Sequence, residues 1–234
     1  MPGEIIGEKP RLVFAAAGLL LMAARVCPPF PAGWFDGAAG LLMANEAWFL
    51  GLFAAAVFAG CRVCGIRVAQ ACRPGICRAS HILFGAAAGL LWCPVSVLVT
   101  MLWTFMLTRW GIEAAPPPVQ GLWRSEAASR GVIIVIALVT APVLEEIWWR
   151  GWLLDGLCPG GYPRGDGRRA AAAAAVTAAA FAAIHFSMTD FAALTGIGLL
   201  LSWCRRRTGG LWAGMALHFV NNLAGCLMLI VFGD

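Results

Sequence analysis

The 234-residue chain has little charge: 12% of its residues are Asp, Glu, Lys or Arg, whereas 61% are hydrophobic. Its mean hydropathy of +0.80 excludes a soluble globular domain, which needs a far more polar surface. The formal net charge of +5 does not indicate nucleic-acid binding, because the arginines cluster in short loops between apolar runs. We therefore expect a polytopic membrane protein that contacts the lipid bilayer and no nucleic acid.

The apolar runs lack the residue-by-residue alternation of a transmembrane β-barrel. They are continuous, and most approach the roughly 20 residues that a helix needs to cross a bilayer. The predicted fold class is therefore all-α, a polytopic transmembrane helix bundle with about seven membrane helices. The predicted segments are residues 12–30, 38–61, 82–107, 132–154, 169–186, 191–204 and 211–232.

A small-residue cleavage site is missing after the first apolar run, where Arg25 is followed by Pro28, Pro29 and Pro31. We expect this run to remain as a membrane helix. The chain divides into residues 1–130, with three N-terminal helices and a basic cytoplasmic loop, and residues 131–234, a core that holds the chemical motifs.

The distribution of basic residues predicts an orientation. With the N-terminus in the cytoplasm, twelve Lys and Arg residues lie inside and four outside, as the positive-inside rule requires. The Ala- and Arg-rich composition is typical of a GC-rich bacterial genome, which predicts the bacterial inner membrane. The 11 tryptophans are expected mostly at the membrane interfaces, and Asn45 and Glu46 at the outer one.

Two carboxylates and a guanidinium lie inside one apolar run, at Glu145, Glu146 and Arg150. Charge at that depth costs several kcal/mol per group unless it is paired or faces a wet cavity, so it marks a functional site. Glu146 and Arg150 are four residues apart with the acid first, the favourable order for a helical ion pair. Because successive helical residues are rotated by about 100°, Glu145 points elsewhere and is available as a general base.

Two of the three histidines follow the Glu-Glu pair on later predicted helices. His185 is four residues after Phe181, and Asn222 is four residues after His218, so each pair shares a helical face. A carboxylate and an imidazole together deprotonate a water, while a second imidazole and an amide donate to the oxyanion of a peptide carbonyl. This set predicts peptide-bond hydrolysis without a Ser or Cys nucleophile.

The position of His185 conflicts with seven simple crossings. His185 falls near the end of the fifth predicted helix, and Glu145 lies toward the inner end of the fourth. If both helices spanned the bilayer, these residues would differ in depth by ~10–20 Å at ~1.5 Å per residue. Either the predicted boundaries are wrong or the fifth helix stops short of the far side.

The three motifs together resemble the CPBP family of intramembrane glutamic endopeptidases, which includes CAAX prenyl proteases and proteins described as abortive-infection or bacteriocin-immunity proteins. The resemblance covers residues 130–230 and rests on Glu-Glu-x-x-x-Arg at 145–150, Phe-x-x-x-His at 181–185 and His-x-x-x-Asn at 218–222. The basic turn at 205–212 is also similar. One departure is Trp149, where Phe is commoner in the family.

The resemblance implies a catalytic core in residues 131–234 and four catalytic residues, which are Glu145, His185, His218 and Asn222. Glu145 would activate a water with His185, and the other two would form the oxyanion hole. Glu146 and Arg150 would orient the site. The implied substrate is a membrane-anchored or lipidated protein, cut as by a CAAX protease or at a C-terminal sorting signal. Neither a cofactor nor a metal ligand is expected.

Two alternatives stay open on the residues alone. The first is a noncatalytic membrane immunity or scaffold protein with the same fold. The second is a zinc-dependent protease in which two His and a Glu bind the metal and leave a position for water, although a His-Glu-x-x-His pair is missing. A transporter is disfavoured because the sequence has no internal repeat.

A set of Cys and His residues lies outside these motifs, mostly in the basic loop. Its members are Cys61, Cys64, Cys72, Cys77 and the nearby His81. The Cys-x2-Cys-x7-Cys-x4-Cys spacing is poor for a zinc knuckle, and cytoplasmic thiols are expected to stay reduced.

Overall fold

The computed structural model describes residues 8–26, 29–30, 37–113, 115, 117–158, 162 and 166–233. Its regular elements in these ranges are all helical, which confirms the predicted all-α class. In chain order they are α1 (Glu8–Val26), α2 (Gly37–Cys64), α3 (Val68–Cys72), α4 (Ala79–Arg109), α5 (Pro118–Ser125), α6 (Ala127–Val135), α7 (Ala141–Glu145), α8 (Leu154–Leu157), α9 (Gly167–Ala183), α10 (Phe191–Thr208) and α11 (Trp212–Phe232). Pro28, Pro31 and Arg164, used above for the leader and orientation predictions, lie outside the described residues.

Helices α6, α7 and α8 form one continuous rod, Ala127–Leu157, because two π-helical turns join them. The first π turn is Ile136–Thr140 and the second is Glu146–Leu153. Such wide turns are rare and occur frequently at functional sites. Glu145 therefore ends a single turn of α-helix between two π turns, and Glu146 begins the second of them.

Four helical segments in the described ranges are long and apolar enough to cross a membrane: Gly37–Cys64, Ala79–Arg109, Ala127–Leu157 and Trp212–Phe232. The prediction of about seven spans is therefore not confirmed, although each predicted segment overlaps a described helix. The 17 residues of α9 reach only ~26 Å at ~1.5 Å per residue, less than the ~30 Å of a hydrocarbon core. The expectation that the fifth predicted helix stops short agrees with this length.

The N-terminal helices and the rod share one hydrophobic core. Trp148 and Trp152 of the second π turn are buried, and Phe53 of α2 stacks on Trp152 with 4.9 Å between ring centroids. The indole Nε1 of Trp148 donates to the carbonyl of Gly18 in α1 at 2.8 Å. These tryptophans therefore anchor the rod to α1 and α2 and not to a membrane interface. The division at residue 130 stays a prediction.

Close backbone contact fixes α11 against α4. A Cβ on Gly85 would lie 2.0 Å from the carbonyl oxygen of Ala213, so only glycine permits this approach. Helices α9 and α10 meet in the same way, since a Cβ on Gly198 would lie 2.8 Å from that of Ala178. These contacts bring α9, α10 and α11 around the rod that holds the Glu-Glu pair.

Candidate active site

One imidazole borders both carboxylates of the Glu-Glu pair. Nε2 of His218 lies 3.9 Å from Oε2 of Glu145, and Nδ1 lies 3.5 Å from Oε1 of Glu146. Helical rotation predicts that the two carboxylates point apart, and they do reach different nitrogens of the ring. The ring of His218 therefore lies between the two acids.

The gap between Glu145 and His218 is too long for a direct hydrogen bond, which needs about 3 Å. Oε2 of Glu145 is buried and has no hydrogen-bond partner among the described residues. A carboxylate oxygen and a ring nitrogen therefore lie near each other without a direct hydrogen bond.

The predicted ion pair between Glu146 and Arg150 is confirmed. Oε1 of Glu146 lies 3.0 Å from Nη1 of Arg150, and both residues are at most 1% exposed. The guanidinium also donates to the carbonyl of Gly198 at 3.3 Å and lies over the ring of Phe181, 4.7 Å from its centroid. Glu146 is thus held by α10 and α9 through Arg150.

His185 lies in the turn that follows α9, and its ring nitrogen Nδ1 is 2.7 Å from the carbonyl oxygen of Phe181. A carbonyl only accepts, so Nδ1 carries the proton and Nε2 of the neutral ring is an acceptor. The ring of Phe181 lies 4.7 Å from that of His185 and 6.0 Å from that of His218. Phe181 therefore separates the two imidazoles and keeps both at the site.

Asn222 contacts the rod about two turns before Glu145. Its Nδ2 donates to the carbonyl of Ala137 at 2.8 Å, and its Oδ1 accepts from Asn221 at 3.2 Å. In this π turn the N–H of Ala141 bonds the carbonyl five residues back, so the next residue, Pro142, would bond Ala137 if it had an N–H. Asn222 supplies the donor that Pro142 lacks. One of its two amide hydrogens is used in this bond.

A second support of the first π turn was missed by the sequence reasoning, which placed Glu46 at the outer interface. Glu46 is only 9% exposed. Its carboxylate accepts from Thr140 of the π turn at 2.9 Å and from Arg25 of α1 at 3.0 Å. An acid inside an apolar run was the available signal, and through Glu46 and Arg25 the helices α2 and α1 support the rod that carries Glu145.

Residues 128–224 match the family model described as Type II CAAX prenyl endopeptidase Rce1-like. This segment is an Rce1-like domain. The match contains all four residues for which catalytic roles were predicted, and with the four apolar helices it identifies an integral membrane protein of an intramembrane protease family. No curated protein and no solved structure is significantly similar to the chain.

Possible metal ligands outside the Rce1-like domain are dispersed. Cys61, Cys64, Cys72 and Cys77 are free thiols. Within the described ranges, no group of three or more His, Cys, Asp or Glu residues is placed to hold a metal ion. The loop cysteines therefore join no second site in this part of the chain.

Gly214 lets α11 approach the Glu-Glu pair. A Cβ at this position would lie 2.6 Å from Oε2 of Glu146. We expect Gly214→Ala to push the carboxylate away from Arg150 and His218 and to lower peptide cleavage at least about tenfold, because a shift of ~1 Å in such a group is costly. The measurement is cleavage rate against protein level in the membrane.

Gly225 on the same helix provides the control. A Cβ there meets nothing within 4 Å, so Gly225→Ala is expected to keep full activity and to raise helix stability by up to about 1 kcal/mol. Equal cleavage rates for the two alanine variants would contradict the close approach of α11 to Glu146.

Proposed function

We propose that the protein is an intramembrane glutamic endopeptidase that hydrolyses a peptide bond with a water activated by Glu145 and His185. The observation that supports this most is the short distance between Oε2 of Glu145 and Nε2 of His218. Two polar atoms 3.9 Å apart are both reached by one water at about 2.8 Å from each. His185, with Nε2 as an acceptor, is held at the same cluster through Phe181.

The proposed reaction begins with transfer of a water proton to the Glu145 carboxylate while His185 Nε2 accepts a hydrogen bond from the same water. The water oxygen attacks the peptide carbonyl carbon, and the carbonyl oxygen becomes an oxyanion. His218 faces Glu146 with Nδ1, so it donates to this oxyanion from Nε2 in its doubly protonated form, together with the free amide hydrogen of Asn222. Protonated Glu145 then gives its proton to the leaving nitrogen, the C–N bond breaks, and the carboxylate is restored.

Glu146 and Arg150 have a positioning role in this proposal. Their buried ion pair holds one carboxylate against Nδ1 of His218. The ring is thereby fixed with Nε2 toward Glu145. Asn222, through Ala137, fixes the π turn that leads into Glu145.

The proposed substrate is a membrane-anchored or lipidated protein cut near its C-terminus, as by a CAAX protease or in removal of a C-terminal sorting signal. The family match to a CAAX prenyl endopeptidase supports this class. We place the enzyme in a bacterial inner membrane with a cytoplasmic N-terminus. In this orientation twelve Lys and Arg residues lie on the cytoplasmic side and four on the other side.

A comparison of histidine variants tests the function. We expect His185→Ala to lower cleavage of co-expressed membrane-anchored proteins by about a hundredfold, the usual contribution of a positioned acid–base group. Mass spectrometry of membrane fractions would show the uncut C-terminal signal accumulating. His81→Ala removes the one histidine that lies outside the matched residues, and it should leave cleavage unchanged. Normal processing in the His185→Ala strain would refute the proposed role of His185.

A further inference from the structure

A second charged cluster lies at one end of the bundle, away from the Glu-Glu pair. Its centre is Asp155 of α8, which is only 6% exposed. One carboxylate oxygen lies 2.9 Å from Nη1 of Arg73 and 3.4 Å from Nη2 of Arg205, and the other accepts from the backbone N–H of Tyr162 at 3.1 Å. The carbonyl of Arg11 in α1 lies against Gly156, the next residue after Asp155.

The cluster holds three cations and one anion. Arg73 and Arg205 are 8% and 5% exposed, so both guanidinium groups are largely removed from water. Asp155 neutralises one of the three positive charges and leaves an excess of two. A buried charge without a counter-ion costs several kcal/mol, so an anion bound here would stabilise the protein.

The same arginines have donors without acceptors. Five buried guanidinium nitrogens have no hydrogen-bond partner among the described residues. These atoms are Nε and Nη1 of Arg11, Nε and Nη2 of Arg73, and Nε of Arg205. Buried polar groups in folded proteins are nearly always paired. Burial lowers the pKa of Arg73, and Arg205 and Arg11 add to this effect while Asp155 opposes it.

The charge and the donors together indicate the kind of anion. A phosphate group offers at least three acceptor oxygens and carries −1.5 to −2 at pH 7, close to the excess of two. Arginine is the preferred partner of phosphate, since its planar fork donates two parallel hydrogen bonds. A carboxylate, with one charge and two oxygens, would leave half of this excess and several of these nitrogens unsatisfied.

The cluster lies at one membrane-proximal end of the helices. Two of the four candidate spans end beside it, at Cys64 and Leu157, and the other two begin beside it, at Ala79 and Trp212. Exposed arginines surround the same end, at Arg62, Arg67, Arg78, Arg168, Arg169, Arg206 and Arg207. Such a basic surface attracts the anionic headgroups of a cytoplasmic leaflet.

We propose that Arg11, Arg73 and Arg205 form a binding site for a phosphate group, supplied by an anionic lipid headgroup or by free phosphate. The site is separate from the proposed catalytic residues. Arg73 also donates to the carbonyl of Gly151 at 3.1 Å. Gly151 directly follows Arg150, the residue that forms the ion pair with Glu146. An anion at this site therefore stabilises the C-terminal end of the second π turn.

Thermal unfolding of the purified full chain in neutral detergent tests the site. Inorganic phosphate should raise Tm above that in chloride of equal ionic strength. Arg11→Gln is the decisive variant, because the two buried nitrogens that it removes bond no protein group. Without phosphate, its Tm should equal or exceed that of the unmodified chain. The apparent Kd for phosphate should weaken about tenfold or more, which corresponds to one charge-assisted hydrogen bond.

Exposed Arg207, two residues from Arg205, provides the matched control, and Arg207→Gln should keep the phosphate effect. Phosphatidylcholine vesicles with and without phosphatidic acid distinguish the two sources. Stabilisation by phosphatidic acid alone assigns a lipid headgroup, and stabilisation by inorganic phosphate alone assigns the free anion. If neither stabilises the protein, or if both stabilise Arg11→Gln as strongly as the unmodified chain, the site is refuted.

Discussion

Glu145→Gln is expected to lower kcat/KM for peptide cleavage by roughly a thousandfold or more while leaving the amount of folded protein unchanged. The amide keeps the size of the side chain but cannot take a proton from water. The side chain is 15% exposed, and its Oε2 has no hydrogen-bond partner among the described residues, so the change breaks no hydrogen bond there. The measurement is cleavage of a co-expressed membrane-anchored substrate, normalised to enzyme level.

Glu113→Gln is the control for this prediction, because Glu113 is an exposed acid outside the Rce1-like domain. It should retain full activity. Unchanged cleavage by Glu145→Gln would exclude the proposed mechanism. If a biological effect of the protein persisted in both Glu145→Gln and His185→Ala, the noncatalytic scaffold would be the correct function. Loss of activity on chelation and recovery with Zn²⁺ would favour the metal-dependent alternative.

Arg150→Met is expected to give the largest loss of stability, about 3–5 kcal/mol. It leaves Glu146, which is 0% exposed, as a buried carboxylate without its cation. Thermal unfolding in detergent and the amount of protein in the membrane both report this loss. Cleavage activity should fall as well, because Nδ1 of His218 depends on the position of Glu146.

The double variant Glu146→Gln/Arg150→Met separates stability from function. It removes both charges, so most of the lost stability should return. Activity should stay low, since no carboxylate then fixes His218. A double variant as unstable as Arg150→Met would show that the ion pair does not explain the burial of these residues. Recovery of activity together with stability would contradict the positioning role.

Part of the site could be predicted because the signals are local. Charge within an apolar run requires a partner, and a spacing of four identifies that partner for Glu146. The observed 3.0 Å ion pair agrees with this inference even though the segment is π-helical. The spacing of Asn222 from His218 likewise places both on α11, as the structure shows.

Other features depend on contacts between distant parts of the chain. The bond from Asn222 to Ala137 exists because Pro142 leaves a carbonyl without a donor, and no pattern in either segment shows that the two meet. The prediction of about seven spans is not confirmed for a related reason. Short helices such as α9 bury small residues against α10, and this packing makes them apolar without requiring that they cross a bilayer.

The sequence by itself determined the membrane class, the helical fold and the identity of the ionisable residues within the Rce1-like domain, because these follow from composition and from spacing along one helix. Only the tertiary structure decided that His218 lies between two acids, that Glu46 supports the rod that carries Glu145, and that two distant arginines contact one aspartate. Each of these joins helices far apart in sequence. Helix packing sets such distances, and the residues of any one segment leave them undetermined.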